Sequence, residues 1–296
     1  MCDFPGIGLG TVQFGLPYGI SNTIGRTTPS DVHRILNYAE EHDIRILDTA
    51  SAYGDAEKVL GNCLPERHGF RIVTKIPSYS EKIVDAAEIK RRVRSSLGFL
   101  KQQSVYGILF HDAGDLLSAR GEFLWDALVQ IKEKGWTEKI GVSVYSPDEA
   151  ERIIERYRLD ILQIPVNIFD QRFLNRGHLI DINNKGIEIH ARSCFLQGLL
   201  LMKPQNLSSF FDPAKNRLEH FRKICDQHGY TPLEAALSFV LSVKELHTVI
   251  VGVNSLLHLQ EIICSLKKNS YKADEIFNFG CFALDMPDIV EPRLWP

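Results

Sequence analysis

Residues 46–54 read ILDTASAYG: an apolar run that closes on an aspartate, followed five positions later by a tyrosine. A short apolar run bounded by small and polar residues reads as a buried strand. A carboxylate as its last residue must then stand at the end of a sheet. The same form recurs along the chain, as IGLG near residue 8, IRILD at 44, RIVTKI at 71, VYGILFH at 105, KIGVSVY at 139, DILQIP at 160, IEIHAR at 187 and HTVIVGV at 247. Segments of helical spacing lie between these runs. In EIKRRVRSSLGFL, for instance, Ile89, Val93, Leu97 and Leu100 fall on one helix face, which makes KRRVR (90–94) a solvated face interrupted by an inward valine.

Helix-start signals agree with that alternation. TPSDVHRIL, SPDEAERII and HGYTPLEAAL each place Ser or Thr before Pro, with acids in the first turn. Strands with few polar interruptions, separated by helices, imply a parallel sheet covered on its outer face. Eight such units predict an α/β fold of the (β/α)8 TIM-barrel type, a single domain over residues 1–296. A doubly wound sheet carrying a dinucleotide would open its first helix with GxGxxG. Here the early glycines stand at 6, 8, 10 and 15, which breaks that spacing. A longer loop is expected at about 199–216, LLLMKPQNLSSFFDPAKN, after the seventh strand, and a C-terminal tail at about 270–296.

Composition narrows the function. The chain has 296 residues, 44% of them apolar, which suits one barrel of ordinary size. Its 34 basic and 37 acidic residues are dispersed, so it lacks the concentrated positive field that nucleic acid requires. No window approaches ~18 uninterrupted apolar residues, and MCDFPGIGLG lacks the form of a signal peptide. No membrane partner is expected, and the expected location is cytoplasmic. Cys2, Cys63, Cys194, Cys225, Cys264 and Cys281 are far apart with no CxxC pair, which reads as reduced thiols rather than a metal site.

In a barrel, residues at the C-terminal ends of the strands face the active site. Asp48 ends the second strand, Tyr53 lies in the loop after it, Lys75 ends the third and His111 the fourth. A phenol ordinarily keeps its proton up to about pH 10, and a neighbouring ammonium is expected to bring that value down. The lysine needs a counter-charge in a partly apolar barrel top, and Asp48 supplies it. The histidine can orient a carbonyl and share a proton with the phenol. Singly, each residue also has a bland reading, as a turn cap, rim packing or a surface charge. Their joint position on successive strand ends is what points to a proton-donating unit.

These residues carry a family resemblance. LDTASAYG with AEKVLG, TK at 74–75, LFHD at 109–112, GVSVY at 141–145 and LQIPVN at 162–167 resemble the aldo-keto reductase superfamily, in its order and over nearly the whole chain. The resemblance implies a (β/α)8 barrel that transfers hydride from NAD(P)H to an aldehyde or ketone. Tyr53 would be the general acid, Lys75 and Asp48 would tune it, and His111 would orient the carbonyl. Ser143 and Gln163 would hold the nicotinamide carboxamide, and Asn167 would line the pocket near the same strand end.

Three segments depart from the family pattern. Val144 follows Ser143 where many members have Asn. Arg192 stands where an aromatic residue stacks on the nicotinamide, bringing a charge beside a cofactor whose oxidised form is cationic. In the segment that grips the adenosine phosphate, Gly252 and Val253 replace the common Lys and Ser, and His258 replaces Arg. The expected cofactor is NADPH, helped by His258 and with Glu261 reaching the adenine; NADH is the alternative.

The expected partner is a small-molecule carbonyl substrate. Gln13, Phe14, Tyr18, Tyr79, Phe195 and Trp295 are candidates to enclose a sugar ring or a small aromatic aldehyde. The opening GTVQFGLPYG resembles a bacterial branch associated with surface-sugar metabolism, which implies a keto-sugar. Two other readings stand beside this one. One is a barrel that binds nicotinamide as a sensor or regulatory subunit without turnover. The other is a metal-dependent sugar isomerase, which the strand ends Ser143, Gln163 and Arg192 suit poorly as a metal set.

Overall fold

The computed structural model describes residues 5–79, 85–267 and 278–296. Cys2 and the 270–277 part of the expected tail lie outside the described residues. Eight parallel strands close on themselves in sequence order: β1 (Gly6–Gly10), β2 (Ile46–Asp48), β3 (Arg71–Ile76), β4 (Val105–Phe110), β5 (Thr137–Ser143), β6 (Ile161–Pro165), β7 (Glu188–Arg192) and β8 (Thr248–Gly252). Closure is made by β1 against β8, with Gly6 opposite Thr248 and Gly10 opposite Gly252. The eight apolar runs are these eight strands, and the (β/α)8 expectation is borne out.

Alternation of side chains fills the barrel. Ile46, Val73, Leu109, Ile161 and Ile250 form a separate buried cluster with Tyr106. Gly8 makes room for that layer, because a Cβ there would meet Ile250 Cδ1 at 2.6 Å. The larger apolar core lies outside the strands, between sheet and helices. The outer layer includes α1 (Val12–Gly15), α2 (Pro29–Glu41), α3 (Ala56–Cys63), α4 (Ala86–Leu100), α5 (Ala113–Leu117), α6 (Gly121–Glu133), α7 (Pro147–Ile154), α8 (His178–Asn184), α9 (Asp212–His228), α10 (Pro232–Ser242) and α11 (Leu256–Lys267). On α4, Ile89, Val93, Leu97 and Leu100 are the inward stripe that the spacing predicts.

The helix starts behave as their chemistry dictates. Thr28 accepts from the Asp31 N–H ahead of Pro29, and Ser146 with Glu149 and Thr231 with Glu234 form reciprocal capping boxes. The expected loop at 199–216 is largely folded. Turns of 3-10 helix at Leu196–Leu201, Pro204–Asn206 and Ser209–Phe211 bury Leu199, Leu200, Leu207 and Phe211, and α9 begins at Asp212. Pro213 sits in the first turn of α9, where its missing N–H costs nothing, so a residue that suggests a loop in sequence here starts a helix.

Candidate active site

Strand ends bring the chemistry to one mouth. Asp48 is the last residue of β2, Lys75 the penultimate residue of β3, and His111 follows β4, its N–H donating to Ile76 O at 3.1 Å. Tyr53 sits on a turn after β2, its N–H donating to Ala50 O at 3.0 Å. That turn is packed against α1: a Cβ on Gly15 would stand 1.8 Å from the Tyr53 carbonyl oxygen, so only glycine fits.

Lys75 is 1% exposed and lies beneath the others. Its Nζ donates to Asp48 Oδ1 at 2.5 Å and to Thr49 O at 3.1 Å, and stands 5.2 Å from the centre of the Tyr53 ring. The second carboxylate oxygen, Asp48 Oδ2, accepts from Gln163 Nε2 at 2.7 Å. Both the hydroxyl and the N–H of Thr11 donate to the Asp48 carbonyl at 3.0 Å, which fixes the strand end. The Tyr53 and His111 rings meet edge to face, 5.6 Å between centres. The carboxylate is thus saturated from two sides, as a charge buried this deeply requires.

Burial sets the proton affinities. It pushes His111 down to about 3, helped by the charges of Lys75 and Arg192, so the imidazole is neutral across the physiological range. Burial also pushes Lys75 down, opposed by Asp48. The expectation that Lys75 lowers the phenol's pKa is not met. Burial first and the Asp48 charge second push Tyr53 well above the tyrosine range, against an opposing pull from Arg192. The physical reason is the 2.5 Å ion pair. An ammonium matched so closely by a carboxylate presents little net charge to the phenol above it, so desolvation decides.

A cavity of about 650 Å³ opens over this group. Asp48, Tyr53, His111, Ser143, Gln163, Arg192, Gly252, His258 and Glu261 all line it, as do Gln13, Tyr18 and Phe195. A second concavity of about 680 Å³, between Lys203 and α9, shares no lining residue with it. Besides Lys75, which lies beneath the mouth, four sequence candidates are not brought to the cavity. Phe14 is fully buried in the outer core, while its neighbour Gln13 faces the mouth. Tyr79 packs in the same core, its N–H held by both Asp115 carboxylate oxygens at 2.9 and 3.1 Å. Asn167 completes a turn, its Oδ1 accepting from the N–H groups of Phe169 and Asp170 at 2.9 Å and its Nδ2 donating to Ser193 O. Trp295 packs edge-on against Phe211 and donates its indole N–H to Ile289 O at 3.1 Å.

Among the further lining residues that were not singled out in sequence are Tyr145, Gln197 and Arg293. Tyr145 is two positions beyond Ser143, so strand alternation is the signal that finds it. Arg293 arrives from far beyond the last strand, and no local pattern marks it. The Arg192 and Arg293 guanidinium carbons lie 4.1 and 4.0 Å from the centre of the Tyr145 ring. Gln197 belongs to a strained turn: Ser193, Leu196 and Gln197 adopt φ of 61°, 48° and 53°. Gly198 then passes so close to the first loop that a Cβ would meet Ser21 Oγ at 1.9 Å.

Two buried amide oxygens in the mouth lack partners among the described residues, Gln163 Oε1 and Gln13 Oε1. An orphaned buried acceptor calls for a donor that the protein does not supply. Ser143 is the register neighbour of Gln163, so a hydroxyl and a free amide oxygen stand side by side at the ends of β5 and β6. Gly252 leaves its end of the cavity open, since a Cβ there would fall 2.8 Å from Gln13 Nε2. This donor and acceptor set fits a ligand carrying a primary carboxamide and an extended backbone.

Residues 6–278 match the model of the aldo/keto reductase family. The chain belongs to the aldo/keto reductase family. Its closed eight-stranded barrel is the fold of an aldo-keto reductase from Bacillus halodurans in its holo form, which superposes with a TM-score of 0.76 at 20% identity over 98% of this chain and 95% of that one. L-galactose dehydrogenase of Arabidopsis thaliana is 25% identical over 281 residues, 88% of this chain and 85% of the relative. Pyridoxal reductase, chloroplastic, from the same plant is 27% identical over 163 residues, 50% of this chain and 43% of that protein. Membership makes this aldo/keto reductase an oxidoreductase whose general chemistry is carbonyl reduction. Among the described residues, no helix is long and apolar enough to cross a membrane.

Proposed function

We propose that this chain reduces an aldehyde or ketone to an alcohol with NADPH, with Tyr53 as the proton donor. The observation that carries the reading is the stack of Lys75 and Asp48, buried and paired at 2.5 Å, under the Tyr53 ring with a neutral His111 at its edge. When bound, the cofactor supplies the hydride. Ser143 and the unpartnered Gln163 Oε1 hold its carboxamide, Gly252 leaves room for its backbone, and Asn254, His258 and Glu261 line the far end.

The protein's own part is proton transfer and positioning. His111, held neutral, donates a hydrogen bond to the substrate carbonyl oxygen without bringing a second charge. A phenol pushed upward stays protonated until negative charge develops on that oxygen, and an alkoxide is a strong enough base to take its proton. Lys75 neutralises the Asp48 charge beneath the ring, so that less negative charge opposes the developing phenolate.

A sugar-derived carbonyl is the proposed substrate class, supported by the polar rim of Gln13, Tyr18, Tyr145 and Gln197 and by the name of the relative L-galactose dehydrogenase. Following NADPH consumption across keto-sugars and plain aldehydes tests it; a strong preference for an unsubstituted aromatic aldehyde overturns the sugar assignment. The NADPH assignment rests on His258 as a phosphate donor, and Glu261 works against it unless it turns to the adenine. Tighter binding of NADH in parallel titrations overturns it.

A further inference from the structure

Among the described residues, Arg192 is a cation without a counter-ion. It ends β7, and its Nε donates to Ser143 Oγ at 3.2 Å, its Nη1 to Ser193 Oγ at 3.2 Å and its Nη2 to Val144 O at 3.0 Å. All three acceptors are neutral. Among the described residues, no carboxylate lies within 4.0 Å of it. The other Lys and Arg side chains of the mouth are matched: Lys75 by Asp48, and Arg293 by Glu291 at 2.9 Å and Glu149 at 3.6 Å. A guanidinium is charged at any physiological pH, so one positive charge stands unneutralised at the end of β7. Its field spreads across the site, since it is among the influences that hold down His111 and oppose the rise of Tyr53.

We infer that Arg192 makes the site distinguish the two redox states of the nicotinamide, favouring the neutral reduced ring over the cationic oxidised ring, so that the protein takes up the reduced cofactor and releases the oxidised one. The inference rests on the cofactor reading above. Ser143 is offered there as a carboxamide holder, and Arg192 donates directly to its hydroxyl oxygen, so a ring held on Ser143 lies within reach of the guanidinium. Reduction and oxidation of that ring differ by one positive charge at the same place. Like charges about a ring's width apart in a partly screened site shift an equilibrium by about tenfold or more. A tenfold difference in binding of the two forms is a shift of about 30 mV in a two-electron potential. Tyr145, against which Arg192 packs, keeps the charge from swinging out to solvent.

Equilibrium binding of NADPH and NADP⁺, by fluorescence and calorimetry, tests this on the full chain, with Arg192→Lys, Arg192→Gln and Arg192→Met compared to wild type. The ratio of the two dissociation constants is the readout, because loss of packing weakens both forms alike whereas loss of charge does not. Wild type is expected to bind NADPH about tenfold or more tighter than NADP⁺. Arg192→Lys should keep most of that preference, and Arg192→Gln and Arg192→Met should bring the ratio toward unity by tightening NADP⁺ relative to NADPH. An unchanged ratio in the neutral variants, or a wild-type preference for NADP⁺, overturns the inference while leaving the reductase reading intact. Failure of either form to bind wild type overturns both.

Discussion

Lys75 and Asp48 show what one buried residue does for its neighbours. Each alone would be a charge stripped of water; together, at 2.5 Å and capped by Gln163, they form a nearly neutral platform for Tyr53. Lys75→Met should therefore act twice. It leaves Asp48 buried and unpaired, costing about 3–5 kcal/mol of stability by denaturant unfolding, and its uncompensated charge under the ring makes loss of the phenolic proton harder, lowering carbonyl reduction by about 10²-fold or more. His111 gives a pH-dependent counterpart. Folded, it is pushed down to about 3; unfolded, it takes a proton near its ordinary 6.5. Between those values the unfolded chain binds the extra proton. The stability it contributes is complete above 6.5 and is lost as pH falls toward 3. Glu188, also acid-sensitive because its pKa is lowered from 4.5, begins to act only below that ordinary value. Unfolding measured between about pH 4.5 and 6.5 should thus be flatter in His111→Gln than in wild type. Equal slopes would mean His111 titrates normally. Asp48, Tyr53, Lys75 and His111 are legible in sequence because each stands at or beside a strand end. The direction of the Tyr53 shift is not, because it depends on how completely one charge cancels another.

At the scale of elements, loops decide precision. The Tyr53 turn is seated on α1 through Gly15, whose missing side chain is the only space available there. Gly15→Ala should push the turn away, reducing carbonyl turnover while leaving cofactor affinity close to wild type. Loss of both together would mean that the barrel itself is disturbed. The strands were legible because apolar runs of strand length repeat between amphipathic helices. The 199–216 segment was not, because Leu199, Leu207 and Phe211 bury themselves in short 3-10 turns without regular spacing. Phe14, Tyr79, Asn167 and Trp295 failed as pocket residues for a related reason. Their sequence neighbourhood says which strand end they are near, but the side-chain direction follows from packing partners, such as Asp115 and Phe211, that are distant in sequence.

Across the whole molecule, the barrel separates two polar ends with an apolar layer. At the base, Glu188 accepts from Tyr106 at 2.8 Å, pairs with Lys139 and His190, and is held down to about 2 by His190, Lys139 and Tyr106 despite its burial. Ile46, Val73, Leu109, Ile161 and Ile250 lie between this plug and the catalytic mouth. Glu188→Leu should lower stability by about 1–3 kcal/mol, since it takes the acceptor from Tyr106 and His190, yet leave the turnover of the folded fraction unchanged. A large drop in turnover per folded molecule would mean that the two ends communicate. The account as a whole turns on whether the mouth donates its proton from Tyr53. Tyr53→Phe, with NADPH binding and carbonyl reduction measured on the same preparation, tests that most directly. Undiminished cofactor affinity with reduction slowed about 10²–10⁴-fold is the predicted result; reduction at the wild-type rate would contradict it.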